Sequence, residues 1–346
     1  MFVPARLLPS PEPPRLVRAT GSVGFESDIL EPLRVPPAAR IGEDALMATG
    51  ATSVSATRTR GRTVVWADAV RVRQWPKNAL VLAAPAAAGV LDRPEVLGRS
   101  LAALAAFCAL SAAVYLANDV ADAAADRTHV VKRRRPVAAG EIGVRTALAV
   151  AVLLAVAGLA AGAALGGADL LVVGLAYLGT SFAYSLGLKR VAVLELGLVA
   201  SGFVLRAVAG GAAADVALSR WFAIVISAGA LYVVAGKRLH ELRREPGSRV
   251  VLGQYTPAFL EHARSLAGAA ALVAYCLWAF QRGGASAHPL LFQVTAVPFT
   301  LALLRFTLAL DRGATGAPEE VFLRDRILAA LVVAWVALFA IALAAG

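Results

Sequence analysis

Tyr115-Leu116-Ala117-Asn118-Asp119-Val120-Ala121-Asp122-Ala123-Ala124-Ala125-Asp126-Arg127 closes an apolar block that begins near residue 98. An apolar run of about 20 residues is what a helix needs to cross a hydrocarbon core, so this stretch is expected to be the polar end of a membrane span. On a helix continuing through it, Asp119, Asp122 and Asp126 stand at i, i+3 and i+7, and Asn118, Asp122 and Asp126 at i, i+4 and i+8. Four oxygen-bearing side chains would then share one face. Like charges placed so repel, and aspartate is a poor interior helix former. The arrangement becomes favourable if Mg2+ bridges the carboxylates to phosphate oxygens, because hard cations take oxygen ligands and Mg2+ is commonly held by one or two carboxylates plus substrate phosphates. On this reading Asp122 and Asp126 meet only a hydrated ion and substrate. The next residues, His129-Val130-Val131-Lys132-Arg133-Arg134-Arg135-Pro136, add a dense cationic run. Metal and Lys/Arg together supply both halves of a diphosphate clamp.

Working outward, the same alternation of apolar blocks and charged loops fills the chain. Hydrophobic residues make up 59% and the mean hydropathy is +0.69, above the ~45–50% apolar content of soluble domains. Spans are expected at 76 to 91, 98 to 117, 146 to 166, 169 to 186, 193 to 211, 218 to 235, 264 to 281, 288 to 308 and 325 to 345. That is an all-α polytopic membrane protein of roughly nine helices. Residues 1 to 60 lack an apolar signal-like run and read as a disordered tail, with Met47 as an alternative start. Residues 61 to 75 read as an interfacial helix, with Trp66 and Trp75 at the interface and Arg71, Arg73 and Lys77 directed to lipid headgroups. The domain proper is then 76 to 346.

Lys and Arg crowd the loops after the second, fourth, sixth and eighth spans, while the opposite loops hold only Arg93, Arg99, Arg220 and Arg282. Positive-inside topology places the rich loops, and with them the site, in the cytoplasm. The same topology accounts for the net charge of +11 without a nucleic-acid partner. Cys108 and Cys276 lie inside apolar blocks, and His129, His240, His262 and His288 show no zinc spacing.

Three further stretches carry charge where an apolar span would not. Tyr184-Ser185-Leu186-Gly187-Leu188-Lys189-Arg190 joins the fourth span to the fifth, and Glu195 follows one turn into that fifth span. Arg206 lies deeper in it. A charge at such a depth is costly alone, so Glu195 is expected to face the bundle interior near a cation or metal and Arg206 to serve a site or an ion pair. Lys237 and Arg238, at the end of the sixth span, lie where these loops could converge on phosphate.

The Asn-Asp-x-x-Asp-x-x-x-Asp stripe, the basic Lys-Arg-x-Arg-Pro run and Tyr-Ser-x-x-x-Lys-Arg together resemble the UbiA superfamily of intramembrane prenyltransferases, over nearly all the chain after residue 70. The resemblance implies helices around a central lipid-accessible cavity and a Mg2+-diphosphate site. The superfamily's second motif usually carries an Asp-x-x-x-Asp pair; here the equivalent stretch holds Lys189, Arg190 and only Glu195, and Val130 stands where relatives more often have proline. The Tyr-Ser-Leu-Gly-Leu-Lys-Arg, Gly-Phe-Val-Leu-Arg-Ala-Val-Ala-Gly-Gly and Ala-Gly-Lys-Arg-Leu-His-Glu-Leu runs are instead similar to the decaprenyl-phosphate phosphoribosyltransferase branch.

That branch implies 5-phosphoribosyl 1-diphosphate and polyprenyl phosphate as substrates in cell-wall arabinan precursor synthesis at the plasma membrane, and leaves self-association into a homo-oligomer open. It implies Asn118, Asp119, Asp122 and Asp126 for metal and diphosphate, and Lys132, Arg133 and Arg135 for donor phosphates. Tyr184, Lys189, Arg190 and Arg206, with Lys237 and Arg238, would line a phosphate pocket. The alternative is prenyl transfer from a prenyl diphosphate to an aromatic or other acceptor, which should want the missing second aspartate pair. A transporter would leave the metal-spaced stripe beside a cationic run unexplained.

Overall fold

In the computed structural model the described residues are 60 to 345, apart from 246, 285, 313–320 and 322–323. The expected tail up to residue 59 and the Met47 start lie outside them. The described residues contain helices and no strands. The described residues begin with α1 (Arg62–Ala69), a 3-10 segment (Val72–Leu82) and α2 (Ala83–Ala88). Then come α3 (Pro94–Ala121), α4 (Ala123–Thr128), α5 (Val144–Leu186), α6 (Leu194–Ala214) and α7 (Arg220–Arg244). The last are α8 (Pro257–Gly283), α9 (Pro289–Val294), α10 (Ala296–Asp311) and α11 (Arg326–Ala345).

Local chemistry sets several helix starts. Pro94, Pro257 and Pro289 occupy the first helical positions of α3, α8 and α9, where a missing N–H is harmless. Ser219 and Thr256 cap α7 and α8 by accepting the N–H groups of Phe222 and Phe259 at 3.1 and 3.2 Å.

Seven helical stretches among the described residues are long and apolar enough to cross a membrane. One of them, α5, has 43 residues, which laid straight would run about 65 Å, twice the ~30 Å hydrocarbon core. Gly166 and Gly167 break it, Gly167 with φ 59° and ψ −144°, a conformation only glycine takes without strain. The break falls between the two spans expected at 146 to 166 and 169 to 186.

The expected first span, 76 to 91, is not an ordinary helix. Pro76 and Pro85 each remove a backbone donor, and residues 72 to 82 wind as 3-10 turns instead. Backbone of that kind is tolerated at membrane depth only when protein covers it. Helix α6 provides the cover at very close range: a Cβ on Gly210 would stand 1.8 Å from the Val81 carbonyl oxygen.

Around this contact, Val81, Phe107, Leu110, Leu170, Tyr177, Ala209 and Ala213 form the core of the first half. Its counterpart in the second half is an aromatic cluster, with Tyr275 stacked on Phe299 at 4.2 Å and Trp278 on Phe339 at 5.6 Å. Leu153, Val156 and Val333 point outward, leaving α5 and α11 an apolar surface suited to lipid. The chain is thus an integral membrane protein. Gly210→Ala is expected to cost about 1–3 kcal/mol through overpacking against Val81, measurable as a lowered thermal midpoint in detergent; an unchanged midpoint would show that the 72–82 segment is free to move away.

Candidate functional site

Helix α3 does not carry its acidic stripe on one continuous face. It ends at Ala121, and Asp122, with ψ near 0°, is the junction from which α4 restarts. This corrects the expectation of four oxygen-bearing side chains in one row. The break divides the stripe: Asp119 and Asp126 turn inward and are buried, while the Asp122 side chain remains 46% exposed. Asn118, at the last turn of α3, is half-buried and accepts the Asp122 N–H through its carbonyl.

The two buried carboxylates share one guanidinium. Arg135 Nη1 lies 2.7 Å from Asp126 Oδ2 and 3.2 Å from Asp119 Oδ1. Arg71 Nη2 donates to the same Asp119 oxygen at 2.6 Å, and the Arg71 guanidinium sits over the Tyr115 ring at 4.7 Å. Arg71 therefore does not reach for lipid headgroups, as its place in an amphipathic stretch suggests. Its backbone is left-handed, φ 52°, which ends the expected interfacial helix at residue 70 and turns the side chain toward α3. Nor do Asp122 and Asp126 meet only an ion and substrate, since Asp126 faces Arg135 and Lys189 Nζ lies 3.9 Å from Asp122.

A second polar group is built where α5 passes into α6. Lys189 and Arg190 occupy a 3-10 turn, followed by Val193 at φ 67° and ψ −48° with Leu194 N–H donating to the Ala192 carbonyl at 2.8 Å. That is a γ-turn centred on a β-branched residue, a strained conformation that persists only when its surroundings hold it. Tyr255 supplies the hold. Its hydroxyl accepts the Val193 N–H at 2.7 Å and donates toward Glu195 at 3.4 Å. Burial pushes the Tyr255 phenol above its ordinary range, so it stays a hydroxyl donor near neutral pH.

Glu195, fully buried, receives Arg238 Nε and Nη2 at 2.9 Å each, a two-pronged guanidinium–carboxylate pair. Arg238 also reaches Glu241 at 2.7 Å, Arg249 reaches the same Glu241 oxygen at 3.1 Å, and Lys237 lies 3.9 Å from the other. Arg249 in turn donates to the Tyr184 hydroxyl at 3.2 Å. The end of α5 joins the two groups: Lys189 Nζ is 3.9 Å from Asp122, and Tyr184 contacts Arg249.

Arg206 stands apart. Its guanidinium donates to Asn78 Oδ1 at 2.7 Å, Gly202 O at 2.5 Å, and Ser111 Oγ and Tyr177 Oη at 3.0 Å each. It also lies over the Tyr177 ring at 4.8 Å. These neutral partners take four of its five donors, so it binds the 72–82 segment to α3, α5 and α6 rather than lining an open phosphate pocket. Lys132 and Arg133 sit on an exposed turn beside the stripe, and the Arg190 side chain is exposed while its carbonyl accepts Gln254. A cleft of about 360 Å³ opens between Asp169, Val173, Val208, Ala212 and Leu218, near the α5 kink, and none of the residues of the two charged groups lines it.

The sequence reading missed Arg71, Glu241, Arg249, Tyr255 and the Asn78–Ser111–Tyr177 set. Asn78 and Ser111 had a usable signal, being polar residues inside apolar spans. Tyr255 and Arg249 had none, because a loop residue gives no hint of which buried carboxylate it will meet.

The stripe suits a divalent ion. One cationic nitrogen already stands between the Asp119 and Asp126 oxygens, and Asp122 and Asn118 offer further oxygen atoms at the same helix break. Among the described residues no group of three or more His, Cys, Asp and Glu is placed to hold a metal ion by itself. A Mg2+ ion that takes its remaining ligands from substrate phosphates and water needs no such cage.

An all-helical membrane bundle with paired carboxylates and clustered cations at the converging helix ends defines an intramembrane enzyme for phosphorylated substrates. A model of the UbiA prenyltransferase family matches residues 78–331, and the chain belongs to that family. It is 44% identical to a decaprenyl-phosphate phosphoribosyltransferase of Mycobacterium tuberculosis over 80% of this chain and 94% of the relative. The same name belongs to a Corynebacterium glutamicum protein 40% identical over 78% of this chain and 83% of that one. A UbiA homolog from Archaeoglobus fulgidus bound to GPP and Mg2+ shares the fold, with TM-score 0.60, 17% identity, and coverage of 81% of this chain and 99% of that one.

Glu195→Gln should leave Arg238 buried with half its charge unmatched, a loss of about 3–5 kcal/mol when a buried pair is broken. Thermal unfolding in detergent checks this, and a midpoint equal to that of the unsubstituted protein would mean that the pair does not hold α6 to α7.

Proposed function

We propose that the protein transfers 5-phosphoribose from 5-phosphoribosyl 1-diphosphate to decaprenyl phosphate or a similar polyprenyl phosphate, releasing diphosphate. The reaction would run at the cytoplasmic face of the plasma membrane and feed the lipid-linked precursor of cell-wall arabinan. The observation that carries the reading is the content of the second polar group: where a second aspartate pair would hold a second metal cluster, this chain has Lys189 and Arg190 in the turn before Glu195, and Lys237, Arg238 and Arg249 gathered on Glu241. Fixed cations suit a monophosphate and need no second metal cluster. The names of the relatives at 40–44% identity point the same way.

In this mechanism Asp119, Asp122 and Asp126, with Asn118, would hold Mg2+ and, through it, the diphosphate. Arg135, Lys132 and Arg133 take the outer oxygens, Arg135 by exchanging a carboxylate for a phosphate. Bound Mg2+ supplies neutralisation of the departing diphosphate. An oxygen of the lipid phosphate attacks the anomeric carbon as the bond from that carbon to the diphosphate oxygen breaks, and the leaving group departs with the electron pair. The acceptor oxygen is ionised at neutral pH, so no strong general base is required. Lys189, next to Asp122, and Arg190 screen the acceptor from the leaving group, and Tyr184 and Lys237 bound the pocket. Arg238 and Arg206 keep its walls in place.

Prenyl transfer to an aromatic acceptor is the second reading, favoured only by the family as a whole. Incubation with labelled phosphoribosyl diphosphate and polyprenyl phosphate separates them: a phosphoribosylated lipid is expected, with prenyl diphosphates inert as donors, and the reverse pattern would overturn the reading. Asp126→Asn keeps an acceptor for Arg135 but removes the charge, and should reduce turnover on the order of 100-fold. Lys189→Asp should abolish phosphoribosyl transfer without creating prenyl transfer, because it sets a like charge beside the acceptor phosphate.

A further inference from the structure

The turn that carries Lys189 and Arg190 is gripped by the loop that leads into α8. Gln254 Nε2 donates to the Arg190 carbonyl at 2.9 Å, and Gln254 Oε1 accepts the Ala192 N–H at 3.4 Å. The Tyr255 hydroxyl takes the next N–H, that of Val193, at 2.7 Å. Two consecutive side chains thus hold the backbone of residues 190 to 193 from 62 to 64 positions away in sequence. The holding arm is itself anchored. Val251 and Leu252 are buried in one cluster with Leu196, Leu239 and Leu260. The Tyr255 ring stacks on Phe259 at 5.6 Å, and Thr256 accepts the Phe259 N–H where α8 begins.

What is held comes at a cost. Val193, at φ 67°, keeps the γ-turn of positive φ, the rarer and more strained form. Its side chain is 59% exposed, so burial returns little for the strain. A glycine would take the same backbone freely. The turn carries Lys189, whose ammonium stands 3.9 Å from Asp122. Neither holding side chain is free for substrate: the buried Tyr255 hydroxyl commits its proton toward Glu195 at 3.4 Å, and both ends of the Gln254 amide are on backbone.

We propose that Tyr255, assisted by Gln254, is a positioning residue for the transfer: it acts through the 188–193 turn and fixes the Lys189 ammonium between the two phosphate-bearing substrates. The role given to Lys189 rests on the phosphoribosyl reading, whereas the hold on its turn rests on the geometry. Without the hydroxyl the turn relaxes, and the Lys189 charge is out of place as the diphosphate departs. Affinity for the donor, set by the stripe and its metal, is left as it was.

The experiment is steady-state transfer by the full chain in lipid nanodiscs, with thermal unfolding of the same preparations. Tyr255→Phe keeps the ring on Phe259 and leaves Glu195 paired with Arg238. It is expected to lower kcat on the order of tenfold, with KM for phosphoribosyl diphosphate within about twofold and the midpoint down by only a few degrees. Val193→Gly should lower kcat several-fold while its midpoint is unchanged or higher, a split that a merely structural role does not give. On a Lys189→Gln background Tyr255→Phe should cost less than about twofold, because the group it positions is gone. The proposal is overturned if Tyr255→Phe turns over at the unsubstituted rate, if it costs the same factor with and without Lys189, or if Val193→Gly loses activity only in step with a lowered midpoint. Should Lys189→Gln leave no turnover to measure, amide hydrogen exchange decides: residues 190 to 193 should exchange roughly tenfold faster in Tyr255→Phe, and unchanged exchange overturns the proposal. If a prenyl diphosphate proves to be the donor, the phosphoribosyl reading fails and the same comparison with prenyl substrates decides the positioning role. Transfer from neither donor overturns both.

Discussion

A charge or an unpaired peptide group below the lipid headgroups must find its partner inside the protein, and nearly every unusual feature of this chain follows from that demand. Arg206 could not sit in α6 without Asn78, Ser111, Tyr177 and the Gly202 carbonyl around it. Those contacts in turn fasten a proline-interrupted segment that could not otherwise keep 3-10 geometry beside hydrocarbon. The requirement runs both ways: Asn78 needs a donor, Arg206 needs acceptors, and Gly210 lets the two elements approach closely enough for both to be met.

At the converging helix ends the same demand produces two electrostatic groups of opposite excess. The first pairs Asp119 and Asp126 with Arg71 and Arg135, and adds Asp122 at its edge. The second pairs Glu195 and Glu241 with Arg238, Arg249 and Lys237. Carboxylate oxygens bracketing a replaceable cation favour a divalent metal; surplus ammonium and guanidinium groups favour a bare anion. The strained turn at Val193 belongs to the second group, since it sets Glu195 at the base of α6 where Arg238 and Tyr255 converge.

The span pattern was legible because hydrophobic length is written locally: the blocks from 98 to 117 and from 193 to 211 needed no knowledge of their neighbours. Even the split of α5 could be read, through Gly166 and Gly167 and an apolar run too long for one crossing. The inward position of Glu195 was legible for the same reason, as a charge with no alternative. The reading erred wherever it assumed that a local pattern continued. Asp119, Asp122 and Asp126 have helical spacing, but three like charges gain by breaking the helix and sending two toward arginines. Arg71 has an interfacial setting, but one left-handed residue turns it inward. Lys77 and Pro76 lie in a stretch that looked like the start of a span, and only the covering α6 shows why the span is not a simple helix. Tertiary partners chose these outcomes, and no window of sequence contains them.

If both substrates bring phosphate, the chief physical obstacle to reaction is their mutual repulsion, and the position of α5 bears on it directly. Its last turn contributes Tyr184 to the cationic group, and the turn just beyond brings Lys189 to Asp122. A rigid helix end thereby spaces the two groups, so an anion held by each would arrive with its charge matched locally rather than by the other's counterions. In a setting of low dielectric that local matching is worth more than in water. It also gives a reason for cations in place of a second aspartate pair: a second metal cluster would add carboxylates at the position where an incoming phosphate must approach.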